Sequence, residues 1–341
     1  MATPYFRPIA RTDHARPAGA QRLAGGWCWF DTVEVLHRDA PSYLMPAADL
    51  PQDVLDRLCA PRVPLAGIGF DTPRIMGILN VTPDSFSDGG QHFDPAVAIA
   101  HASAMADQGA AMIDVGGEST RPGAPAVAIE DEIARTAPVI AAIRAQIATP
   151  ISIDTRKAPV ARAAHAAGAN LINDVAGLTY DSDLAPYAVE SGLPVCIMHA
   201  QGTPETMQRD PRYDNVILDV YDWLAARIDA LESTGIARAM IMTDPGIGFG
   251  KTQAHNLALL QNLSLFHALG CPILLGASRK RFIGDLSQTP LAADRVPGSL
   301  AVALCGVAQG VQMLRVHDVA ETRAALKLWQ AATYGASAAP E

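Results

Sequence analysis

The chain has 341 residues, 49% of them hydrophobic, 18% charged and 6% aromatic, so Ala, Val, Ile and Leu dominate an apolar content large enough to bury a core. That excludes an intrinsically disordered chain, and the length suits two average domains or one α/β barrel. A net charge of −9 with no basic run argues against a nucleic-acid surface, while a few placed cations could still hold a small anion.

Residues 1–70 read as a small folded appendage whose role the sequence does not disclose. Arg7, Arg11, Arg16 and Arg22 alternate with Pro and Gly, and the apolar stretch of a secretory signal is missing. Residues 27–30 and 33–36 read as short strands and 50–58 as a short helix. The five cysteines, Cys28, Cys59, Cys196, Cys271 and Cys305, form no metal or redox spacing. They are expected to be buried reduced thiols of a cytoplasmic protein. The longest apolar stretch, 300–314, is too short to cross a membrane and contains Gln309 and Gln312, so no membrane partner is expected.

From Arg74 onward a rhythm sets in. Apolar runs at 75–79, 111–115, 151–153, 171–172, 195–198, 240–242, 273–275 and 313–316 are too short for helices and nearly unbroken, as strands buried on both faces are. Helical spacing fills the gaps: Asp94-Pro95 opens a helix that ends at Gly109, and 129–147 (containing Pro138), 154–168, 184–191, 216–231, 256–267, 299–309 and 319–329 follow. This alternation predicts a (β/α)8 TIM barrel over residues 71–335. An open doubly wound sheet is the alternative, but no G-x-G-x-x-G follows any of the strands.

In a barrel the reactive groups sit just beyond the C-terminal ends of the strands. Here the strands run into Asn80, Asp114, Asp154, Asn173-Asp174, His199, Asp244, Ser278 with Lys280, and Arg315 with His317. Ser278 and Lys280 are two apart, as are Arg315 and His317, so each pair shares a face if the strand conformation persists. With Arg279 and Arg281 beside them they suggest a phosphate or diphosphate site, against the alternative of ordinary surface cations. Asp154, Asn173 and Asp244 could together hold a ring that presents several N–H donors, such as a pterin or guanine edge. Each Asp could instead cap the helix that follows it. Gly246-Ile247-Gly248-Phe249-Gly250-Lys251 lacks the glycine spacing of a nucleotide phosphate loop. Residues 80–90 and 116–123 read as polar loops able to close over a substrate. His199 has no second ligand at zinc spacing.

Seven segments occur in the order of one known family: IMGILNVTPDSFSDGG at 75–90, IDVGGESTRPG at 113–123, ISIDT at 151–155, INDV at 172–175, DPGIGFGK at 244–251, SRK at 278–280 and RVHD at 315–318. Together they resemble the motifs of the dihydropteroate synthase family, pterin-binding TIM barrels, over about residues 74–330. The resemblance implies condensation of 6-hydroxymethyl-7,8-dihydropterin diphosphate with 4-aminobenzoate to give 7,8-dihydropteroate and diphosphate. It implies that Asp154, Asn173, Asp244 and Lys280 hold the pterin, and that Asn80, Arg315 and His317 hold the diphosphate. Mg2+ is implied at Asn80 and Asp88. Thr120, Arg121, Pro122, Phe249, Ser278 and Lys280 are implied to line the 4-aminobenzoate site, where sulfonamides would compete. Asp88, Arg121, Lys280, Arg315 and His317 are the implied catalytic groups, in a cytoplasmic homodimer. Two other readings are a pterin-dependent corrinoid methyltransferase, which would have no use for the SRK and RVH segments, and a non-catalytic pterin-binding paralogue, for which no motif residue is missing.

Overall fold

In the computed structural model, residues 4–82, 95–119, 124, 126–202 and 206–335 are described. The N-terminal segment contains β1 (Tyr5–Pro8), β2 (Gln21–Arg22), β3 (Trp29–Phe30), β4 (Thr32–Leu36), β5 (Tyr43–Pro46) and α1 (Gln52–Cys59). β1, β4 and β5 form a three-stranded antiparallel sheet, and β2 pairs with β3. The sequence points to β3, β4 and α1. It does not point to β1 and β5, whose four residues each end in proline and gain strand character only by pairing with β4.

The rest of the chain alternates strand and helix: β6 (Arg74–Asn80), α2 (Pro95–Asp107), β7 (Met112–Gly116), α3 (Ile129–Arg144), β8 (Ile151–Asp154), α4 (Ala158–Ala166), β9 (Leu171–Asp174), α5 (Leu184–Ser191), β10 (Val195–Met198), α6 (Val216–Thr234), β11 (Ile241–Asp244), α7 (Gln253–Gln261), β12 (Leu274–Leu275), α8 (Arg281–Ser287), α9 (Val296–Val307), β13 (Met313–Val316) and α10 (Val319–Tyr334). The eight strands β6 to β13 lie in one parallel sheet, and a bridge between Thr243 and Ile273 joins its two end strands. The TIM barrel expected from the sequence is the fold.

Three local features depart from expectation. The helix expected over 256–267 stops at Gln261, where the Asn262 side chain donates to the Ala258 carbonyl at 2.8 Å, and a 3-10 segment, Leu263–Leu269, follows. α8 is additional: with seven residues, one of them Gly284, it has too little periodicity to read, and buried Phe282 and Ile283 anchor it. The expectation that all five cysteines are buried fails for Cys59, which is half-buried, and Cys305, which is exposed.

Alternation along the strands sorts the barrel interior into layers. One face of each strand meets the helices with branched residues: Ile75, Leu79, Ile113, Val115, Ile151, Ile153, Ile172, Val195, Ile197, Leu314 and Val316. The other face points inward. Its lowest layer is Met76, Met112, Leu171, Cys196, Met242, Leu274 and Met313, closed from below by Leu65, Ile68 and Phe70 of the N-terminal segment. Above it the inward positions are mostly polar, with Ile78 and Met198 among them. The segment also docks on the barrel wall, through Trp27 Nε1 to the Val307 carbonyl at 2.8 Å, Tyr5 Oη to Asp222 at 2.8 Å and Arg62 Nη2 to the His267 carbonyl at 2.9 Å. Among the described residues no helix is long and apolar enough to cross a membrane.

Because Phe70 is 3% exposed and sits against the methionine layer, Phe70→Ala should cost about 3–5 kcal/mol of stability in urea unfolding. A loss under about 1 kcal/mol would mean that the N-terminal segment does not help close the barrel.

Candidate active site

The polar layer is organised around Arg315. Its guanidinium reaches inward from β13 and divides between two carboxylates, with Nε 2.6 Å from Asp114 and Nη2 2.8 Å from Asp154. Asp114 also accepts from the Asn173 amide at 3.1 Å and, in a very short bond, from the Ser152 hydroxyl. Strands β7, β8, β9 and β13 are thereby tied together across the interior. Asp114 is fully buried, while the Arg315 side chain keeps 21% exposure. Burial pushes the Asp154 carboxyl up; Arg315 opposes that shift and Asp114 adds to it. Burial also works against the Arg315 charge, but the two carboxylates outweigh it and hold the guanidinium protonated. Asp154 does not cap α4, whose preceding residue is Lys157 with no side-chain cap, so the capping alternative is set aside.

Asp244 ends β11 across the cup. It accepts from the Gly246 N–H at 2.7 Å, and α7 is capped instead by Thr252 and His255. Burial raises the Asp244 carboxyl, against the pull of the Gly246 N–H, Lys280 and Lys251. Lys280 stands with Nζ 4.0 Å from the centroid of the Phe249 ring, a cation–π contact. Burial lowers its ammonium to about 8, although Asp244 favours the charge. Gly248, at φ +84°, makes room: a Cβ there would lie 3.0 Å from Lys280 Cδ. Below the turn, buried Lys251 places Nζ 2.9 Å from His199 Nδ1, 3.0 Å from the Phe249 carbonyl and 3.3 Å from the His199 carbonyl. His199 therefore serves the loop scaffold, its imidazole pushed down to about 3 by burial and by Lys251.

On the third side, His317 Nδ1 is 3.1 Å from Ser278 Oγ. Arg279 and Arg281 do not join the cationic cluster expected around Lys280, Arg315 and His317. Arg279 has φ +58° and turns away to Asp318, and Arg281 is exposed, 3.6 Å from Asp285. With a left-handed residue between them, Ser278 and Lys280 do not share a face as strand spacing suggests. Asn80, at the end of β6, adjoins Asp154 above Gly116: a Cβ on that glycine would lie 3.8 Å from Asn80 Oδ1 and 3.7 Å from Asp154 Oδ2. Asp88, Thr120, Arg121 and Pro122 lie outside the described residues. The fold thus brings Asn80, Asp154, Asn173, Asp244, Phe249, Ser278, Lys280, Arg315 and His317 to the C-terminal rim. The residue underrated by the sequence reading is Asp114. Its signal is its place as the one charged residue in the apolar run 111–115, and the structure sets it in register with Ser152.

Arg315→Met would leave Asp114 and Asp154 buried together without a counter-charge, a loss of about 3–5 kcal/mol. Burial with no guanidinium beside it would push the Asp154 carboxyl further up, so the variant's deficit should be largest at pH 7.5 and shrink as acid protonates that group. Urea unfolding at pH 7.5 and 5.5 checks this, and a deficit that grows toward pH 5.5 would refute it.

Comparison with known proteins follows the same residues. The pterin binding enzyme family matches residues 76–317. Dihydropteroate synthase of Escherichia coli strain K12 is 47% identical over 259 residues, covering 76% of this chain and 91% of that protein. Dihydropteroate synthase of Xanthomonas albilineans, solved with 4-aminobenzoic acid, superposes with TM-score 0.75 at 46% identity, covering 82% of this chain and 99% of that one. The Yersinia pestis enzyme in complex with a sulfonamide drug gives TM-score 0.75 at 43% identity, covering 80% and 98%. A barrel whose inner rim carries the motif residues at this level of identity places the chain in the pterin binding enzyme family, among the dihydropteroate synthases.

Proposed function

We propose that this cup condenses 6-hydroxymethyl-7,8-dihydropterin diphosphate with 4-aminobenzoate, releasing 7,8-dihydropteroate and diphosphate. The observation that carries the proposal is the juxtaposition, on one rim, of hydrogen-bond acceptors for a pterin and cationic groups for its leaving diphosphate. Asp154, Asn173 and Asp244 accept from the ring N–H groups, and Lys280 donates to the ring beside Phe249. Arg315, His317 and Asn80 face the diphosphate. Phe249, Ser278 and Lys280, with Thr120, Arg121 and Pro122, receive 4-aminobenzoate. Sulfonamides compete for that place.

The charge balance of the cup decides what else is needed. Asp114, Asp154 and Asp244 outnumber Lys280 and Arg315, so the described side chains offer an incoming diphosphate no cationic surplus. The Asn80 amide oxygen and the neighbouring Asp154 carboxylate are hard oxygen donors of the kind that suits Mg2+, which takes few protein ligands and completes its shell with water and phosphate. Asn80, joined by Asp88, would hold that ion, and its chemistry there is to neutralise charge on the departing diphosphate.

The chemistry then asks little proton transfer of the protein. The pterin methylene C–O bond breaks as the arylamine nitrogen forms the new C–N bond, and both electrons of the old bond leave with diphosphate. The pterin delocalises the positive charge that develops, and Asp154 and Asp244 favour it. An arylamine is neutral at pH 7, and its proton is lost after bond formation, so no essential general base is required. Arg121, Arg315, His317 and Lys280 stabilise the leaving group. We read the working form as a cytoplasmic homodimer. Methyl transfer to a corrinoid protein is disfavoured, because it gives the Ser278–His317 pair and Lys280 no anion to bind.

A diphosphate-release assay should show turnover that requires both 4-aminobenzoate and Mg2+, abolished by chelation and restored by added Mg2+. Release independent of 4-aminobenzoate would sink the assignment. Lys280→Met should lower kcat/KM about 100-fold. Because the Lys280 ammonium titrates at about 8 in the free protein, wild-type kcat/KM should decline as pH rises through that value. A profile level to pH 10 would remove Lys280 from its role.

A further inference from the structure

Arg279 lies between two residues assigned to the acceptor site, yet its side chain points away from the cup. Its backbone is left-handed, at φ +58°, a conformation unfavourable for a residue with a Cβ. Its backbone N–H, its carbonyl and one edge of its guanidinium are held from outside the cup. Its N–H donates to Ser299 Oγ at 2.9 Å, and its carbonyl accepts from Arg295 Nη1 at 3.0 Å. Its guanidinium makes a two-point pair with Asp318, Nε to Oδ2 at 3.0 Å and a still shorter Nη2 contact to Oδ1. The holders are themselves fixed. Ser299 Oγ donates to the Arg295 carbonyl at 2.8 Å, and the Asp318 carbonyl accepts from Thr322 Oγ1 at 2.6 Å. Asp318 immediately precedes α10 and is 9% exposed. The two helix starts that follow α8 therefore grip one residue.

The consequence is directional. A left-handed residue between Ser278 and Lys280 breaks the strand alternation. Ser278 Oγ goes to His317 Nδ1 at 3.1 Å and Lys280 Nζ to the face of Phe249 at 4.0 Å, so the two reach different walls of one cup. We propose that Arg279 is a positioning residue: its ion pair with Asp318 holds the turn that aims Ser278 and Lys280 at 4-aminobenzoate from two sides, and it touches no substrate itself. This rests on the reaction proposed above and adds a role outside the cup.

The test uses the full chain and four variants: Arg279→Ala, Arg279→Gly, Asp318→Asn and the double variant Arg279→Ala/Asp318→Asn. Steady-state KM for 4-aminobenzoate and for the pterin diphosphate, kcat and thermal unfolding are measured for each. Arg279→Ala and Asp318→Asn should each lower kcat/KM for 4-aminobenzoate about 10- to 100-fold, the scale of a small misplacement of reacting groups, with a lesser effect on the KM of the pterin diphosphate. The double variant should be no worse than the worse single, because both remove the same pair. Arg279→Gly should recover part of the loss, since glycine adopts the turn without the pair. Full activity in Asp318→Asn beside an impaired Arg279→Ala would show that the guanidinium acts on the substrate directly, and so would equal impairment of the Ala and Gly variants. Should Arg279→Ala fail to fold, Arg279→Gly against Asp318→Asn decides the same question. Wild-type protein without 4-aminobenzoate-dependent diphosphate release would defeat the reaction; active wild type with unaffected variants would defeat only the positioning role.

Discussion

One guanidinium between two buried carboxylates sets the terms for the rest of the cup. Asp114 and Asp154 come from neighbouring strands, and burying both without a counter-charge would be strongly unfavourable. Arg315 reaches them from β13, 201 positions away from Asp114 in the chain. It binds them only because the strands form a ring. The arrangement neutralises most of the polar layer and leaves its remaining acceptors, Asp244 and the outer edge of Asp154, to face a ligand. It also restrains Arg315: a guanidinium already shared by two carboxylates cannot move far toward an anion, so it acts as a fixed dipole-like wall rather than a mobile hook.

Around that layer, the groups that meet substrate are aimed by residues that do not. Lys251 holds the Phe249 and His199 carbonyls and so fixes the turn beneath Lys280. On the opposite side, Lys157 bridges Glu118 at 3.3 Å and Glu132 at 2.7 Å, and also donates to the Val127 carbonyl at 2.6 Å. The Val127 N–H in turn donates to Glu118 at 3.0 Å. The described residues on either side of 120–123 are thus tied to the end of β8. Arg279 does comparable work for Ser278 and Lys280. The pattern is of charged side chains placed outside the cup, each holding a backbone segment through several hydrogen bonds.

Much of this was legible in the primary structure. Short apolar runs separated by helical spacing predict parallel strands, because a strand covered on both faces needs no polar alternation. The polar residue ending each run predicts the rim. At the site, the departures share one cause, namely reliance on local periodicity. Ser278 and Lys280 looked like one face because spacing of two means one face in a strand, but a left-handed Arg279 cancels that rule. Arg279 and Arg281 resemble anion ligands because they are close in sequence to Lys280, and each has instead a carboxylate of its own, Asp318 just before α10 and Asp285 within α8. β1 and β5 carry little strand signal and exist by virtue of β4.

The amino-acid order alone therefore determined the barrel, the polar ends of its strands and the family, since strand length, alternation and motif order are local properties. The folded ring decided which charge meets which. It set Arg315 between Asp114 and Asp154, gave Lys251 to His199 and Arg279 to Asp318, and brought the N-terminal segment beneath the methionine layer. Those pairings depend on distances across the barrel and between helices far apart in the chain, and Coulomb attraction in a buried site acts on distance in space, not on separation in sequence.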